Sequence, residues 1–336
     1  MLTPDLYRGI IAYPPTPFTD NFALDEEALR SNLRKLMRCG VDGIALAGTS
    51  GEFYTLSLQE IRRIAVILRE ETKGTKVYSI MGAVGLSTDD AIICGRIAME
   101  EGIDAILVIQ PYYTPLTPDE LLLFWEQLCR ACPTVGVIIY HYDWVRQPYT
   151  VDIYRQLTHL PNFIGSKEAH WDFNVWRTMH QKGPLAHMSS TDIGWLVELH
   201  RQRAVGVGSL QLCWMPHKVL EILDLCTLGK YDEAERAQSD FTEFTARIKM
   251  GQGRPHIFPS ELEGLERYSH QARHKAVIEA FGFLRVGPPR PPAIPVPAEL
   301  QKRIRGFIER RYPELLLPPD FSSVSRPAGT LWRLPD

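Results

Sequence analysis

From about residue 9 to residue 230, short runs of β-branched and aliphatic side chains alternate with longer stretches whose apolar positions recur every three or four residues. The short runs, Gly9–Tyr13, Gly43–Ala47, Lys76–Met81, Ala105–Ile109, Gly136–Tyr140, Phe163–Lys167, Leu185–Met188 and Ala204–Gly208, predict eight strands. The longer stretches predict helices, and several announce their starts. Ser57-Leu-Gln-Glu60 has the form of a capping box, Ser87-Thr-Asp-Asp90 is a near relative, and Thr117-Pro-Asp-Glu120 sets a proline and two acids into a first turn. Stripes such as Ile61, Ile64, Ala65 and Leu68, or Leu122, Phe124, Trp125 and Leu128, give these helices an apolar side that needs a sheet to cover.

Strands roughly 20 to 35 residues apart with one helix between them predict parallel pairing through right-handed crossovers. Eight such units predict a closed (β/α)8 TIM barrel. An open doubly wound sheet would carry a dinucleotide fingerprint, and Gly206-Val-Gly208 does not complete one. After residue 230 the alternation stops and helical periodicity continues near 230–249, 268–282 and 297–311, with Gly251-Gln-Gly253 and Gly287–Pro292 as turns between them. The expected organisation is a barrel over 1–229, a C-terminal helical appendage over 230–317, and a loosely held tail over 318–336.

Composition narrows the classes of function. The 336 residues are 45% hydrophobic and 23% charged with a net charge of -3, an ordinary globular balance without the basic field that nucleic acid requires. No run approaches the roughly 18 apolar residues of a membrane span, and the start MLTPDLYRG lacks signal-peptide character, so a cytoplasmic protein is expected. The six cysteines are dispersed through apolar stretches and read as reduced packing residues; no metal site is expected.

In such a barrel the chemistry sits at the C-terminal ends of the strands. There lie Gly48-Thr49-Ser50-Gly51-Glu52, Pro111-Tyr112-Tyr113, Tyr140-His141-Tyr142 and Lys167-Glu168. Strand alternation predicts Phe163, Gly165 and Lys167 on one face, that of the barrel interior. A desolvated lysine there has a lowered pKa and a neutral amine able to attack a ketone; paired with Glu168 it would be only a strand-end ion pair. Tyr140 and Thr49-Ser50 have the groups to move protons and hold a carboxylate, or equally to form a packed aromatic and a polar turn.

Taken together, Thr16-Pro-Phe18, Gly40-Val-Asp-Gly43, Gly48-Thr-Ser-Gly-Glu52, Thr55-Leu-Ser57, Pro111-Tyr-Tyr113, Tyr140, Gly165-Ser-Lys-Glu-Ala169 and Gly287–Pro292 resemble the dihydrodipicolinate synthase / N-acetylneuraminate lyase family. The resemblance spans about Gly9 to Pro292 and implies a barrel enzyme that binds pyruvate or another 2-keto acid through a lysine imine, without a further cofactor. It implies Lys167 as the imine lysine, Tyr140 as the proton shuttle, Thr49 as its relay, and Tyr113 as a residue completing the relay of a neighbouring subunit. It also implies Gly48 and Ser50 at the keto-acid carboxylate, backbone groups of Val207 and Gly208 near the imine, and a homo-oligomer, dimer or tetramer.

The chain departs from the family where specificity is decided. The loop Tyr140-His-Tyr-Asp-Trp-Val-Arg146-Gln-Pro148 is bulkier than usual and carries its arginine one residue late. Arg146 either reaches a second carboxylate or is a solvated loop residue. His141 replaces an asparagine, Trp144 and Trp171 stand near the mouth, and Ser189-Ser-Thr-Asp192 replaces another polar turn. The resemblance therefore implies a carbon–carbon lyase or aldolase joining a 2-keto acid to an aldehyde. Dihydrodipicolinate synthase, a 2-keto-3-deoxy sugar acid aldolase or dehydratase, and a catalytically inactive metabolite-binding relative are the alternatives.

Overall fold

The computed structural model describes residues 1–143, 149–170, 172–184, 186–189, 195–247, 260–316, 324–328 and 330–334. Eight parallel strands, β1 (Gly9–Ala12), β2 (Gly43–Leu46), β3 (Tyr78–Gly82), β4 (Ala105–Val108), β5 (Gly136–Tyr142), β6 (Phe163–Ala169), β7 (Ala186–Ser189) and β8 (Gly206–Ser209), close in chain order, with β8 pairing back to β1. Helices α1 (Glu26–Arg38), α2 (Leu58–Thr72), α3 (Thr88–Glu100), α4 (Pro118–Ala131), α5 (Val151–Leu157), α6 (Phe173–Lys182), α7 (Leu196–Arg201) and α8 (Pro216–Thr227) follow the strands in turn. The predicted (β/α)8 TIM barrel is the fold observed.

The helix starts behave as their sequences require. Ser57, Ser87 and Thr117 each cap the backbone N–H three residues on, and Glu60, Asp90 and Glu120 return the bond to the cap. Each reciprocal pair satisfies two of the donors that a helix start leaves open. Strand alternation then sorts the apolar residues into two cores. Ile10, Ile44, Leu46, Ile106, Val108 and Val137 pack outward under the helices. Ile11, Ala45, Ile80, Leu107, Ile138 and Tyr140 fill the barrel interior. Leu2 and Tyr7 join that inner core, the Tyr7 hydroxyl donating to Ser166 O at 3.1 Å.

One detail of the expected strand pattern is corrected. Phe163 does not share a face with Lys167. The β5–β6 register shifts between Val137 and Ile138, which pair with Phe163 and Gly165, so Ile164 is an extra residue on β6. Such a bulge reverses the facing of what precedes it. Phe163 packs outward, 6.1 Å from Trp125 between ring centroids, while Ile164 turns inward. Lys167 keeps its inward position opposite Tyr140.

The appendage is built from α9 (Tyr231–Arg247), α10 (His270–Phe281) and α11 (Ala298–Arg311), and Phe241, Phe244, Val277, Ile304 and Phe307 extend the outer core continuously. The Gly251–Gly253 turn lies outside the described residues. Where the tail is described it is held, not loose: Val324 and Leu331 are buried, Arg326 N–H donates to Arg38 O at 2.8 Å, and Trp332 Nε1 donates to Ala204 O at 2.7 Å. The apolar residues dispersed among its prolines find places on the barrel, a match that composition does not reveal. Among the described residues no helix is long and apolar enough to cross a membrane, and all six cysteines are free and buried.

The appendage also reaches the strand-end loop after β2. Lys275 Nζ of α10 lies 2.7 Å from Glu52 Oε1, and both residues are almost wholly buried. Breaking a buried pair on one side leaves an uncompensated charge, which costs about 3–5 kcal/mol. Lys275→Met is therefore expected to lower the free energy of unfolding by about that amount in urea titration, and a loss under about 1 kcal/mol would mean that Glu52 does not depend on Lys275 for its charge.

Candidate active site

Four strand ends contribute to one narrow cavity of ≈ 20 Å³, lined by Tyr13, Pro14, Ala45, Gly48, Thr49, Ser50, Gly51, Tyr140 and Lys167. Lys167, Tyr140, Thr49, Ser50 and Gly48, separated by more than a hundred residues of sequence, are thus brought together. Lys167 Nζ sits between two aromatic faces, 3.8 Å from the Tyr140 ring centroid and 3.9 Å from that of Tyr13. Tyr13, just past β1, continues the inward alternation of Ile11. Its ring occupies the space that a side chain at Gly208 would need, since a Cβ there would stand 2.4 Å from Tyr13 Cε2.

The loop after β2 is under local strain. Ala47 and Glu52 adopt left-handed φ values of 52° and 56°, a region that disfavours a Cβ. Gly82 lets the turn approach β3, because a Cβ at that position would meet Ala47 O at 2.0 Å. Thr16 Oγ1 donates to Gly51 O at 2.7 Å, Arg290 N–H donates to Glu52 Oε2 at 2.9 Å, and Lys275 pairs with the same carboxylate. Several long-range bonds therefore over-determine a turn that its own residues would not favour.

Burial sets the electrostatics of the cavity. Desolvation pushes the Lys167 amine down to about 7, so near neutral pH a large fraction is uncharged. The same burial raises the Tyr140 phenol, against which a hydrogen bond with Thr49 acts in the opposite direction. Tyr13 is likewise raised by burial, and its hydroxyl is buried with no hydrogen-bond partner among the described residues. Both phenols are donors at neutral pH. An amine nucleophile, a phenol linked to a hydroxyl, and a second phenol without a partner form a constellation suited to carbonyl chemistry.

Other expected site residues stand elsewhere. His141, expected at the substrate, turns outward from β5 and meets Glu168 Oε2 at 2.8 Å, on the opposite side of the strand from Tyr140. For Val207 and Gly208, expected near the imine through their backbone groups, the Val207 side chain packs in the outer core and Gly208 lies against Tyr13, which itself lines the cavity. Tyr113 is 84% exposed and does not line the cavity of its own chain. Arg146, Trp144, Trp171 and Ser190–Asp192 lie outside the described residues. Two residues were not anticipated. Tyr13 was legible from the alternation that places Tyr140, and Tyr142 stacks on Tyr140 at 5.1 Å and 14°, two positions further toward the mouth. A larger depression of ≈ 300 Å³ between α8 and the tail, lined by His217, Asp224 and Arg326 among others, is not at the strand ends.

The family model described as the dihydrodipicolinate synthetase family matches residues 6–257. The chain belongs to this family. Among curated relatives, it is 36% identical to a 4-hydroxy-tetrahydrodipicolinate synthase of Methanothermobacter thermautotrophicus over 50% of this chain and 59% of that one. It is 32% identical to a Bradyrhizobium diazoefficiens protein named probable 5-dehydro-4-deoxyglucarate dehydratase, over 52% and 54% of the two chains. The chain thus spans a little over half the length of each of these relatives. Among solved structures, Proteus mirabilis N-acetylneuraminate lyase superposes with a TM-score of 0.75 at 21% identity, covering 90% of this chain and 98% of that one. The family match covers the barrel and α9, and the curated relatives carry names of different reactions.

A direct check of the site needs no substrate. Competitive acetylation with trace acetic anhydride, read by peptide mass spectrometry, is expected to give Lys167 a midpoint near 7, against about 10.4 for solvated lysines. A Lys167 midpoint matching the solvated ones would show that burial does not neutralise the amine.

Proposed function

We propose that this protein forms an imine between Lys167 and a 2-keto acid such as pyruvate, and makes or cleaves a carbon–carbon bond next to that carbonyl. The observation that carries this reading is the buried Lys167 amine held between Tyr13 and Tyr140, beside the loop of Gly48–Gly51, where burial lowers its pKa to about 7. The amine adds to the keto carbon, and the carbonyl oxygen leaves as water once protonated. Tyr140 is the group placed to move those protons, with Thr49 as its relay. The iminium then accepts the electron pair released when a C3 proton departs or the C3–C4 bond breaks, which yields an enamine. In the synthetic direction the enamine attacks an aldehyde, and water returns the keto acid and frees the lysine.

The carboxylate of the keto acid falls to Ser50 and the Gly48–Gly51 turn. The N–H groups of Ser50 and Gly51 donate to no backbone carbonyl among the described residues, and charge-assisted bonds from such groups are about twice as strong as neutral ones. Tyr13, with its unpartnered hydroxyl, is a further donor to the bound acid. The stacked Tyr142 presents an aromatic wall beside Tyr140 and suits a partner with a flat or apolar face. The exposed Tyr113 fits a role in the site of a neighbouring subunit, which makes the active form a homo-oligomer. Dehydration is the second reading, supported by the relative named as a dehydratase: the enamine formed by loss of the C3 proton expels the protonated C4 hydroxyl as water, with the C3–C4 bond left intact.

Two experiments test the reading. Intact protein incubated with pyruvate and borohydride is expected to gain one reduced pyruvyl group, mapped to Lys167, and Lys167→Arg is expected to abolish it; an adduct on another lysine would move the imine elsewhere. Tyr140→Phe is expected still to trap pyruvate but to turn over about 10²- to 10⁴-fold more slowly, and full activity would remove Tyr140 from the proton path.

A further inference from the structure

On the outer side of β5 and β6, directly behind Tyr140 and Lys167, lies a buried set of charges that the imine chemistry does not use. Register pairs Tyr140 with Lys167 and, one step on, His141 with Glu168. The first pair faces the cavity and the second faces the helices. Glu168 is fully buried and is held by four side chains: His141 Nδ1 at 2.8 Å and His170 Nε2 at 2.6 Å on Oε2, Tyr154 Oη at 2.7 Å and the Ser166 hydroxyl on Oε1. The other nitrogen of His170, Nδ1, lies 2.7 Å from Asp143 Oδ1.

His170 thus stands between two carboxylates, an arrangement in which both ring nitrogens donate when both acids are ionised, so that the ring is an imidazolium. Burial opposes that charge, but the bonds and attraction of Glu168, then of Asp143, outweigh it and raise the pKa of His170 above its ordinary value. Among the described residues, the titratable groups facing it are Glu168 on β6, His141 on β5 and Asp143 just past β5. Behind them stand Tyr149 against the His141 ring and Tyr154 of α5, both raised by burial and therefore neutral.

One ligand atom each of His141, Glu168 and His170 lie within 4.8 Å of one another, a spacing that invites comparison with a metal centre. Distances decide against it. Zinc with bonds of about 2.0–2.1 Å in a tetrahedron holds its ligand atoms about 3.3 Å apart. Contacts of 2.6 and 2.8 Å are those of protons shared between nitrogen and carboxylate.

We infer that the Asp143–His170–Glu168 network is a positioning device for Lys167 and Tyr140, binding the ends of β5 and β6 together while His170 is charged and releasing them when it loses its proton. The inference deepens the imine reading of this site and rests on it. Its members act through the strands, not on the substrate, and a displacement of about 1 Å at reacting groups costs up to about a hundredfold in rate.

The test is the rate of borohydride-trapped pyruvate adduct at Lys167 across pH, in the intact protein and in His170→Gln and Asp143→Asn. In the unaltered protein the rate is expected to carry two titrations, the deprotonation of Lys167 that raises it and the discharge of His170 that lowers it. His170→Gln keeps the rise, loses the fall, and traps about ten- to a hundredfold more slowly at neutral pH. Asp143→Asn, at the partly exposed edge of the network, removes one carboxylate and moves the fall to lower pH. A fall that is absent from the unaltered protein, or persists unchanged in His170→Gln, overturns the inference.

Thermal unfolding supplies an arm independent of the chemistry. A raised histidine pKa contributes stability that is full below the unfolded value near 6.5 and lost as pH climbs through the folded value. The Tm advantage over His170→Gln is therefore largest in acid and shrinks with rising pH, and a constant difference overturns the charge assigned to His170. Stoichiometric metal in the purified protein that disappears with His170→Gln would replace the network with a metal centre. No adduct in the unaltered protein at any pH sinks the imine reading, and the positioning role with it, leaving a structural ion pair whose Tm behaviour still reports its charge.

Discussion

Taking the Lys167 ammonium out of water removes most of its hydration, and among the described residues two tyrosine rings flank its nitrogen while no carboxylate lines the cavity. Electron-rich ring faces favour a cation, so they hold the nitrogen in place, but the fall to about 7 shows that desolvation dominates. A closed barrel is what makes this possible. Inward side chains of β1 to β6 fill its interior, so a side chain two-thirds of the way along β6 is shielded within it.

A neutral amine is useful only if its neighbours are fixed, and the barrel secures them from two directions. On one side the continuous register of β5 and β6 beyond the bulge at Ile164 turns Lys167 and Tyr140 inward together and Glu168 and His141 outward together. On the other, α10 and the segment around Arg290 grip Glu52 and thereby a turn with two left-handed residues. The C-terminal helices are therefore part of the site's support although none of them lines the cavity.

Much of this was legible in the sequence. All eight strands and the capped helices follow from periodicity, because a strand buried on both faces and an amphipathic helix leave different spacings. Lys167, Tyr140, Thr49 and Ser50 were found by asking which polar residues end the strands. The facing of Phe163 was not legible, since a bulge depends on the register of the partner strand and not on β6 alone. His141 was misplaced for a related reason: its neighbour Tyr140 owns the inward position, and alternation forces the imidazole outward to Glu168. The partnership of His170 with Asp143 joins two strand ends 27 residues apart, which no local pattern encodes.

The tail meets the barrel far from this chemistry. Arg326 bonds the end of α1 just ahead of β2, while Trp332 and the backbone of Arg333 bond Ala204 and His200 just ahead of β8. These are the strand-entry ends, the floor of the barrel, where Leu2 and Tyr7 already plug the interior from below. One late segment thus staples the first crossover to the last, across the seam where β8 closes on β1. Closure of the ring and chemistry at its rim are thereby assigned to opposite faces, so the floor is free to drift in sequence as long as the seam stays shut, without disturbing the amine above it.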